Sequence, residues 1–279
     1  MAAVAPMPPD PGWRARLDLG FVPTAERTVL ARRRHEGPLR VQRSFHPEGA
    51  PCHSYVLHPP GGVVGGDQIS LDADVQEGAW ALLTTPGATK FYRSLGRTAT
   101  LQQNLRVSPG ATLEWLPQEQ IVFSGAIVEA LTRIDLAVRS RCFAWELNCL
   151  GRPAGGLPFE SGSLRQRLEV WREGRPLLLE HAHIKGDGRA VDAPWGLGGQ
   201  PAFATLVASP ANADALATAR EVLTDTPGEA SATRLDDLLV VRWRGAGALE
   251  GYALRERLWT ALRPCLMGRP MCRPRIWNT

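Results

Sequence analysis

Apolar and polar residues alternate along several stretches of the chain, and this alternation predicts its secondary structure. Residues 69–75 alternate strictly, as expected of a strand with one buried face. Residues 99–107 and 134–138 repeat the pattern, with Gln103 as an interruption in the first of them. Further short apolar or mixed runs, bounded by glycine, proline, asparagine or aspartate, lie at 54–58, 80–85, 112–116, 142–147, 167–172, 202–208 and 238–243. Many short strands separated by turn signals predict a mostly antiparallel β protein.

Two segments in the last third of the chain show helical spacing instead. Residues 210–223 place apolar side chains on one face, Ser209 is predicted to cap this helix, and Pro210 suits its first turn. Residues 251–263 show the same spacing, and Pro264 is predicted to end that helix. The pattern therefore predicts a mainly β chain with two α-helices in its C-terminal third.

Composition and charge exclude several classes of protein. Of 279 residues, 44% are hydrophobic and 22% charged, which is enough apolar material for a core and argues against disorder. No apolar run is long enough for a transmembrane helix. A net charge of +4, spread along the chain, is too small to indicate a nucleic-acid-binding protein.

The first residues indicate the compartment in which we expect the protein to work. Residues 1–13 contain four prolines in the run PMPPDP and no apolar core of a signal peptide, so they resemble a loose leader. We therefore expect a cytoplasmic protein whose five cysteines are reduced. Their spacing does not match a structural zinc knuckle, which favours buried free thiols.

Two glycine-containing segments are the most unusual motifs. Residues 58–67 (HPPGGVVGGD) require flexible backbone and favour a structural turn or a partner surface over an anion site, because no Walker lysine follows. Residues 84–94 (TTPGATKFYRS) hold Lys90 beside Tyr92, a mixture that is favoured at protein interfaces. An interface and a buried turn both remain open for this second segment.

Candidate catalytic or metal-binding groups are few. Glu114 and Glu119 could act as an acid–base pair, although a surface or salt-bridged position is the more common one for carboxylates. His181 and His183 would share one face of a strand, with Glu180 on the other, and two imidazoles could hold a transition metal. The GxSxG and HExxH motifs are absent, as is a complete dinucleotide fingerprint.

Taken together, the longer motifs resemble one family, the urease accessory protein UreD, also called UreH. The resemblance covers residues 37–279 as a single domain, whereas residues 1–36, a leader and the first strands, match weakly. Ser124 stands where many relatives are expected to carry an acid. The matching segments are GPLRVQRSFHPEG, PCHSYVLHPPGGVVGGDQ, LLTTPGATKFYRS, LEWLPQEQIVFSGA, AWELNCLGRPAGG, RLEVWR, WGLGGQP and PRIWNT.

The resemblance implies a fold and a function. The family fold is a layered or helix-like arrangement of many short strands with two helices near the C-terminus. Its members are implied to be non-enzymatic scaffolds that join the urease apoprotein to UreF and, through UreF, to the GTPase UreG. Nickel would pass through the scaffold to the urease active site, so the implied cargo is transient Ni²⁺, with no tightly bound cofactor.

Within this resemblance, three acids are the predicted ligands for passing nickel: Glu146, Glu180 and Asp67. Glu146 lies between two apolar residues and should project to the opposite face of its strand, which is either a water-filled interior or outer surface. The predicted partner contacts are Trp277, Lys90 and Tyr92, because aromatic anchors are enriched at binding hot spots. Two rival functions stay open: a hydrolase using Glu114 and Glu119, and a metal store using the histidines and cysteines.

Overall fold

The structure is a computed structural model that describes residues 12–278, and strands dominate it. Their bounds are β1 (Arg14–Pro23), β2 (Thr28–Glu36), β3 (Arg40–Val41), β4 (Cys52–Leu57), β5 (Gln68–Val75), β6 (Trp80–Thr84), β7 (Thr89–Phe91), β8 (Ala99–Val107), β9 (Thr112–Leu116), β10 (Gln120–Val122), β11 (Ile127–Leu136), β12 (Arg141–Leu150), β13 (Ser163–Arg172), β14 (Arg175–Lys185), β15 (Ala202–Ser209), β16 (Glu229–Leu235) and β17 (Leu238–Gly245). The helices are α1 (Arg189–Asp192), α2 (Ala213–Thr224) and α3 (Ala248–Met267), with short 3₁₀ turns at Pro153–Gly155 and Arg275–Asn278. This confirms the predicted mainly β class with helices late in the chain.

The strands form two stacked sheets, and the chain moves from one sheet to the other after most strands. Sheet 1 has the order β14-β13-β11-β8-β5-β1-β2. Sheet 2 has the order β16-β17-β15-β12-β9-β6-β4-β3, and β10 and β7 pair beside β12. Each coil of the chain thus adds one strand to each sheet, which gives a solenoid-like stack.

This winding makes the prediction of a mostly antiparallel protein wrong. The pairs β5–β8, β8–β11 and β11–β13 are parallel in sheet 1, as are β4–β6, β6–β9 and β9–β12 in sheet 2. Antiparallel pairs occur at the ends of the sheets, for example β13–β14 and β16–β17. Alternation reports that one face of a strand is buried, and it carries no information about the direction of the neighbouring strand.

Two apolar layers hold the molecule together. The larger lies between the sheets and contains inward residues such as Leu71, Leu105 and Ile134. The second lies between sheet 2 and the two long helices, with Trp145 and Trp259 fully buried in it. The molecule is therefore built in three layers, sheet 1, sheet 2 and helices, and sheet 2 is buried on both faces.

Both long helices begin or end away from their predicted positions. Helix α2 is capped by Asn212, whose side chain accepts from the Ala215 N–H at 2.9 Å, whereas Ser209 and Pro210 belong to the end of β15 and the turn after it. Helix α3 continues past Pro264 to Met267. The prediction that Pro264 ends the helix is wrong because burial of the helix face outweighs the lost backbone hydrogen bond.

The N-terminal residues and the helices bear on two expectations from the sequence. Residues 14–36 form β1 and β2 of sheet 1, and the part of the predicted leader before Gly12 lies outside the described residues. In the stretch 12–278, no helix combines the length and the hydropathy needed to cross a bilayer.

Candidate functional site

A carboxylate lies between the two sheets. Glu146, on β12, is 3% exposed, and it points into the layer between the sheets while its neighbours Trp145 and Leu147 pack toward the helices. Gln166 of sheet 1 donates from Nε2 to Glu146 at 2.5 Å, and the Thr132 hydroxyl donates to the other carboxylate oxygen. The predicted projection of Glu146 is thus confirmed. However, Glu146 does not lie on the outer surface, and its hydrogen-bond partners are polar side chains within the layer between the sheets.

Those partners form a row of polar side chains across four strands, which we call the polar row: Gln103, Thr132, Glu146, Gln166 and Asn148. The Thr132 hydroxyl lies 2.7 Å from Gln103 Oε1, and Asn148 Nδ2 donates to Gln166 Oε1 at 2.8 Å. Within the described part of the chain, the buried side-chain oxygen of Asn148 has no hydrogen-bond partner. An unsatisfied buried acceptor of this kind is available to a cation or a water molecule.

Burial sets the electrostatics of the polar row. It raises the pKa of Glu146 from 4.5 to about 7, because the hydrogen bonds from Thr132 and Gln166 offset only part of the desolvation. The nearby Glu180 adds to the rise. Glu146 can therefore be either protonated or charged near neutral pH, which is the range in which a bound cation can replace the proton.

Glu180 lies at one end of the polar row and borders a cavity. Thr205, the cross-strand partner of Glu146 on β15, donates to Glu180 Oε1 at 2.6 Å, and Arg242 Nε donates to Oε2 at 2.5 Å. The cavity beside them measures about 600 Å³ and is also lined by His181. Because Thr205 and Glu146 share a face of sheet 2, the structure brings Glu146 and Glu180 into one polar region.

The opposite end of the polar row also reaches a cavity. Gln103 lines a space of about 160 Å³ between the sheets, together with His58, Lys90 and Trp115. Burial lowers the pKa of His58, which favours the neutral imidazole, the form that binds metal ions. The polar row therefore borders this cavity through Gln103, and Glu180, which interacts electrostatically with Glu146, borders the other.

The third predicted acid lies away from the polar row. Asp67 ends the glycine segment, where one carboxylate oxygen accepts from the Trp13 N–H and the other from the Val64 N–H, each at 2.9 Å. Gly66 beside it has a φ of +100°, a conformation that favours glycine. Asp67 thus closes a turn, and the turn is the structural role predicted for the segment.

The predicted partner residues differ in exposure. Tyr92 is 42% exposed and stacks on Phe123 with ring centroids 5.2 Å apart. A Cβ added to Gly62 would lie 2.0 Å from the Tyr92 ring, so this glycine lets the ring lie flat on the turn. Lys90 lines the smaller cavity. Tyr92 is consequently both held in place and accessible, as a contact residue at an interface must be.

Trp277 is engaged within the chain. Its indole N–H donates to Thr84 Oγ1 at 2.8 Å, and its ring packs 3.8 Å from the Arg255 guanidinium and 5.8 Å from the Trp259 ring. The terminal segment is thereby fastened over helix α3. The aromatic side chain is only partly buried, which leaves the predicted partner contact as a prediction.

Glu114 and Glu119, the carboxylates of the alternative hydrolase function, both have hydrogen-bond partners within the chain. Glu114 is fully buried and accepts hydrogen bonds from Trp80, Trp259 and Arg263. Glu119 accepts from the Tyr252 hydroxyl. The salt-bridged position favoured for Glu114 is confirmed, and both of its oxygens are occupied by these donors.

The histidines and cysteines follow their predicted positions in most respects. His181 and His183 are exposed on one face of β14 and Glu180 is on the other. All five cysteines are free, and Cys52, Cys142 and Cys149 are buried. For Cys265 the prediction of a buried thiol is wrong, because this residue lies on the outer side of the last turn of α3, and Cys272 is half-buried.

Sequence reasoning missed most of the polar row. It singled out Glu146 and noted Gln103 only as an interruption, and it did not identify Thr132, Gln166 or Asn148. The available signal was a polar residue at an inward position of an alternating strand: Thr132 precedes the buried Ile134, and Gln166 lies between the buried Leu164 and Leu168.

Comparison with known proteins supports one family throughout the chain. The model of the UreD urease accessory protein family matches residues 14–278. A urease accessory protein UreD of Alkalilimnicola ehrlichii is 50% identical over 274 residues, covering 98% of this chain and 94% of the relative. A UreD of Azoarcus sp. is 47% identical (96% and 95% covered), and one of Pseudomonas putida is 48% identical (97% and 96% covered).

The matched region contains both sheets, the helices and the whole polar row, so the similarity is not confined to a single motif. The relatives are named accessory proteins rather than enzymes, in agreement with the partners that occupy Glu114. The chain belongs to the UreD family of urease accessory proteins.

Proposed function

We propose that the protein acts in urease maturation as a non-enzymatic scaffold that passes nickel between its two sheets. In this role it joins the urease apoprotein to UreF and, through UreF, to UreG, in the cytoplasm. The observation that carries the proposal is the polar row. A carboxylate and its amide and hydroxyl partners cross an otherwise apolar layer, with one cavity bordered by Gln103 and another bordered by Glu180. A core built only for stability would place apolar side chains at these positions.

The chemistry of the polar row suits a cation in transit. Oxygen ligands from carboxylate and amide groups bind a divalent cation more weakly than a cage of thiolates, so entry is favourable and release remains possible. Glu146, Gln103 and Asn148 supply such oxygens at separate points, and His58 and Glu180 border the cavities at the two ends. Successive weak sites of this kind allow an ion to move without being trapped.

Protonation of Glu146 keeps the passage neutral when no ion is present. With a pKa of about 7, the acid loses its proton at little cost when a divalent cation arrives. We therefore expect each nickel ion that passes to displace a proton from Glu146. Asp67 remains a proposed ligand outside the polar row, at the turn that its carboxylate closes.

The test is Glu146→Ala in cells that express urease and its accessory proteins under limiting nickel. We expect lower urease activity with an intact complex between this chain and UreF, measured by pull-down. Glu129→Ala is the matched control, because Glu129 is an exposed acid whose partner is Arg165 at 3.1 Å. Normal urease activation by Glu146→Ala would refute the proposed passage.

The partner contacts have their own test. Deletion of residues 275–279 removes Trp277, and we expect weaker recovery of UreF in the pull-down. Because Trp277 also packs on Arg255, circular dichroism must first show that the truncated chain is folded. Tyr92→Ala, which removes a half-exposed ring, should weaken the assembly in the same assay. Full recovery of the complex by a folded, truncated chain would remove Trp277 as a contact.

A further inference from the structure

A second group of potential metal ligands lies outside the polar row. Glu48 is in the loop before β4, His53 is on β4, and Cys272 is in the irregular segment that follows α3. One ligand atom from each lies within 4.8 Å of the others, the only such group of three among residues 12–278. None of the three belongs to the polar row or lines the cavities beside it.

The histidine is the most unusual member of this group. His53 is fully buried, and its Nε2 lies 2.8 Å from Glu48 Oε1. Its Nδ1 is also buried and has no hydrogen-bond partner among residues 12–278. A buried polar atom without a partner is unfavourable, so a cation that bound Nδ1 of this ring would remove that penalty. Cys272 is half-buried and connects the group to the surface.

We propose that Glu48, His53 and Cys272 form a site for a divalent transition cation of the zinc type, with a fourth position open to water. Imidazole, thiolate and carboxylate are the three ligand types that such a cation takes in proteins. The bound ion would fasten the C-terminal segment to the loop before β4. This site does not depend on the proposed passage of nickel.

The geometry requires only a small adjustment. Metal–ligand bonds of about 2.0–2.3 Å keep tetrahedral ligand atoms about 3.3–3.8 Å apart, so the group must contract by about 1 Å. Cys272 can supply this movement, because residues 268–274 form neither a helix nor a strand. The Nε2 of His53 and the Oε1 of Glu48, which are 2.8 Å apart, would have to separate by about 0.5 Å for both to bind the ion.

The surrounding charges permit a cation. The Arg263 guanidinium contacts Glu48 through two nitrogens, at 2.7 and 2.9 Å, and its positive charge is shared with Glu114. Arg269 binds the backbone oxygen of Glu48. Two carboxylates thus balance two guanidinium groups before a thiolate and a divalent cation are added. A thiol loses its proton when it binds a cation, so binding at Cys272 would release a proton.

The first test is a Co²⁺ titration of the full chain, because cobalt bound to a thiolate absorbs in the near ultraviolet. We expect this band in the natural protein and its loss in Cys272→Ser, with affinity lower by about tenfold or more. Cys265→Ser is the matched control, since this thiol is exposed and outside the group. Glu146→Gln should keep the band, which separates this site from the polar row.

A second measurement needs no substitution. Saturating Zn²⁺ should slow alkylation of Cys272 by iodoacetamide by about tenfold or more while leaving Cys265 unaffected, as mapped by mass spectrometry, because a coordinated thiolate is no longer a free nucleophile. Unchanged alkylation of Cys272, or a cobalt band that survives in Cys272→Ser, would overturn the proposal. Normal urease activation by Glu146→Ala, together with both results expected here, would disprove the passage and leave this site standing.

Discussion

Replacing the buried carboxylate by an amide, Glu146→Gln, should make the protein more stable above neutral pH. The amide has nearly the same volume and can keep the hydrogen bonds. The Thr132 hydroxyl has one hydrogen and two acceptors within reach, Glu146 and Gln103 Oε1. Once residue 146 offers an N–H, Thr132 can accept it and donate to Gln103. The substitution thus removes a charge and can keep the hydrogen bonds to both Thr132 and Gln166.

The magnitude follows from the pKa of the buried acid. Burial raises the pKa of Glu146 from 4.5 to about 7, and at 1.36 kcal/mol per unit the charged form costs the folded state about 3 kcal/mol. The pKa of Glu146 is higher in the folded than in the unfolded state. The folded protein therefore has its full stability below about pH 4.5, where Glu146 is protonated in both states. Part of that stability is lost as the pH rises toward about 7, and near pH 5 the cost is under about 1 kcal/mol.

Urea denaturation of the natural chain, Glu146→Gln and the exposed control Glu129→Gln measures this difference. Near pH 8 the Glu146→Gln protein should have the higher free energy of unfolding by about 3 kcal/mol, and near pH 5 the two should differ by less than about 1 kcal/mol. The control should show no such pH dependence, since Glu129 is half exposed. A Glu146→Gln protein that is less stable at both pH values, or a gain independent of pH, would refute the reasoning.

Two further substitutions test the frame around the site. Arg263→Ala should lower the free energy of unfolding by about 3–5 kcal/mol in urea, because it leaves buried carboxylates uncompensated. The exposed control Arg165→Ala should cost under about 1 kcal/mol, and equal losses would contradict the expectation. Gly62→Ala places a Cβ 2.0 Å from the Tyr92 ring and should cost about 1–3 kcal/mol. Gly87→Ala, where a Cβ meets nothing within 4 Å, should be neutral; matching thermal stabilities would show that the ring moves freely.

The sequence pattern located strands better than it described their pairing. The run 112–116 coincides with β9, and the run 238–243 lies within β17. The predicted antiparallel direction of strand pairing was wrong because each strand pairs with a strand from the next coil of the chain. Strand β5 therefore lies beside β8 rather than beside β6. Sequence periodicity records the burial of each face, whereas the direction of pairing depends on a winding that no local pattern contains.

At the candidate site, too, some residues could be predicted from the sequence and others could not. Glu146 could be found from the sequence, because a carboxylate between two large apolar residues of a strand is unusual. Its partners could not, because Gln166 is on the other sheet, and its contact with Glu146 exists only once the two sheets are stacked. Gln103 broke the alternation of its strand, and such interruptions are where function has displaced stability.

The nickel content of urease matured with Glu146→Gln tests the central claim most directly. The variant chain is co-expressed with urease and the other accessory proteins at limiting nickel, and bound nickel is measured per urease active site by mass spectrometry. Since this variant keeps the shape of the polar row and should gain stability, a defect can arise only from the lost carboxylate. We expect nickel content severalfold below that obtained with the natural chain and with Glu129→Gln. Equal nickel content in all three would contradict a passage that uses the carboxylate between the sheets.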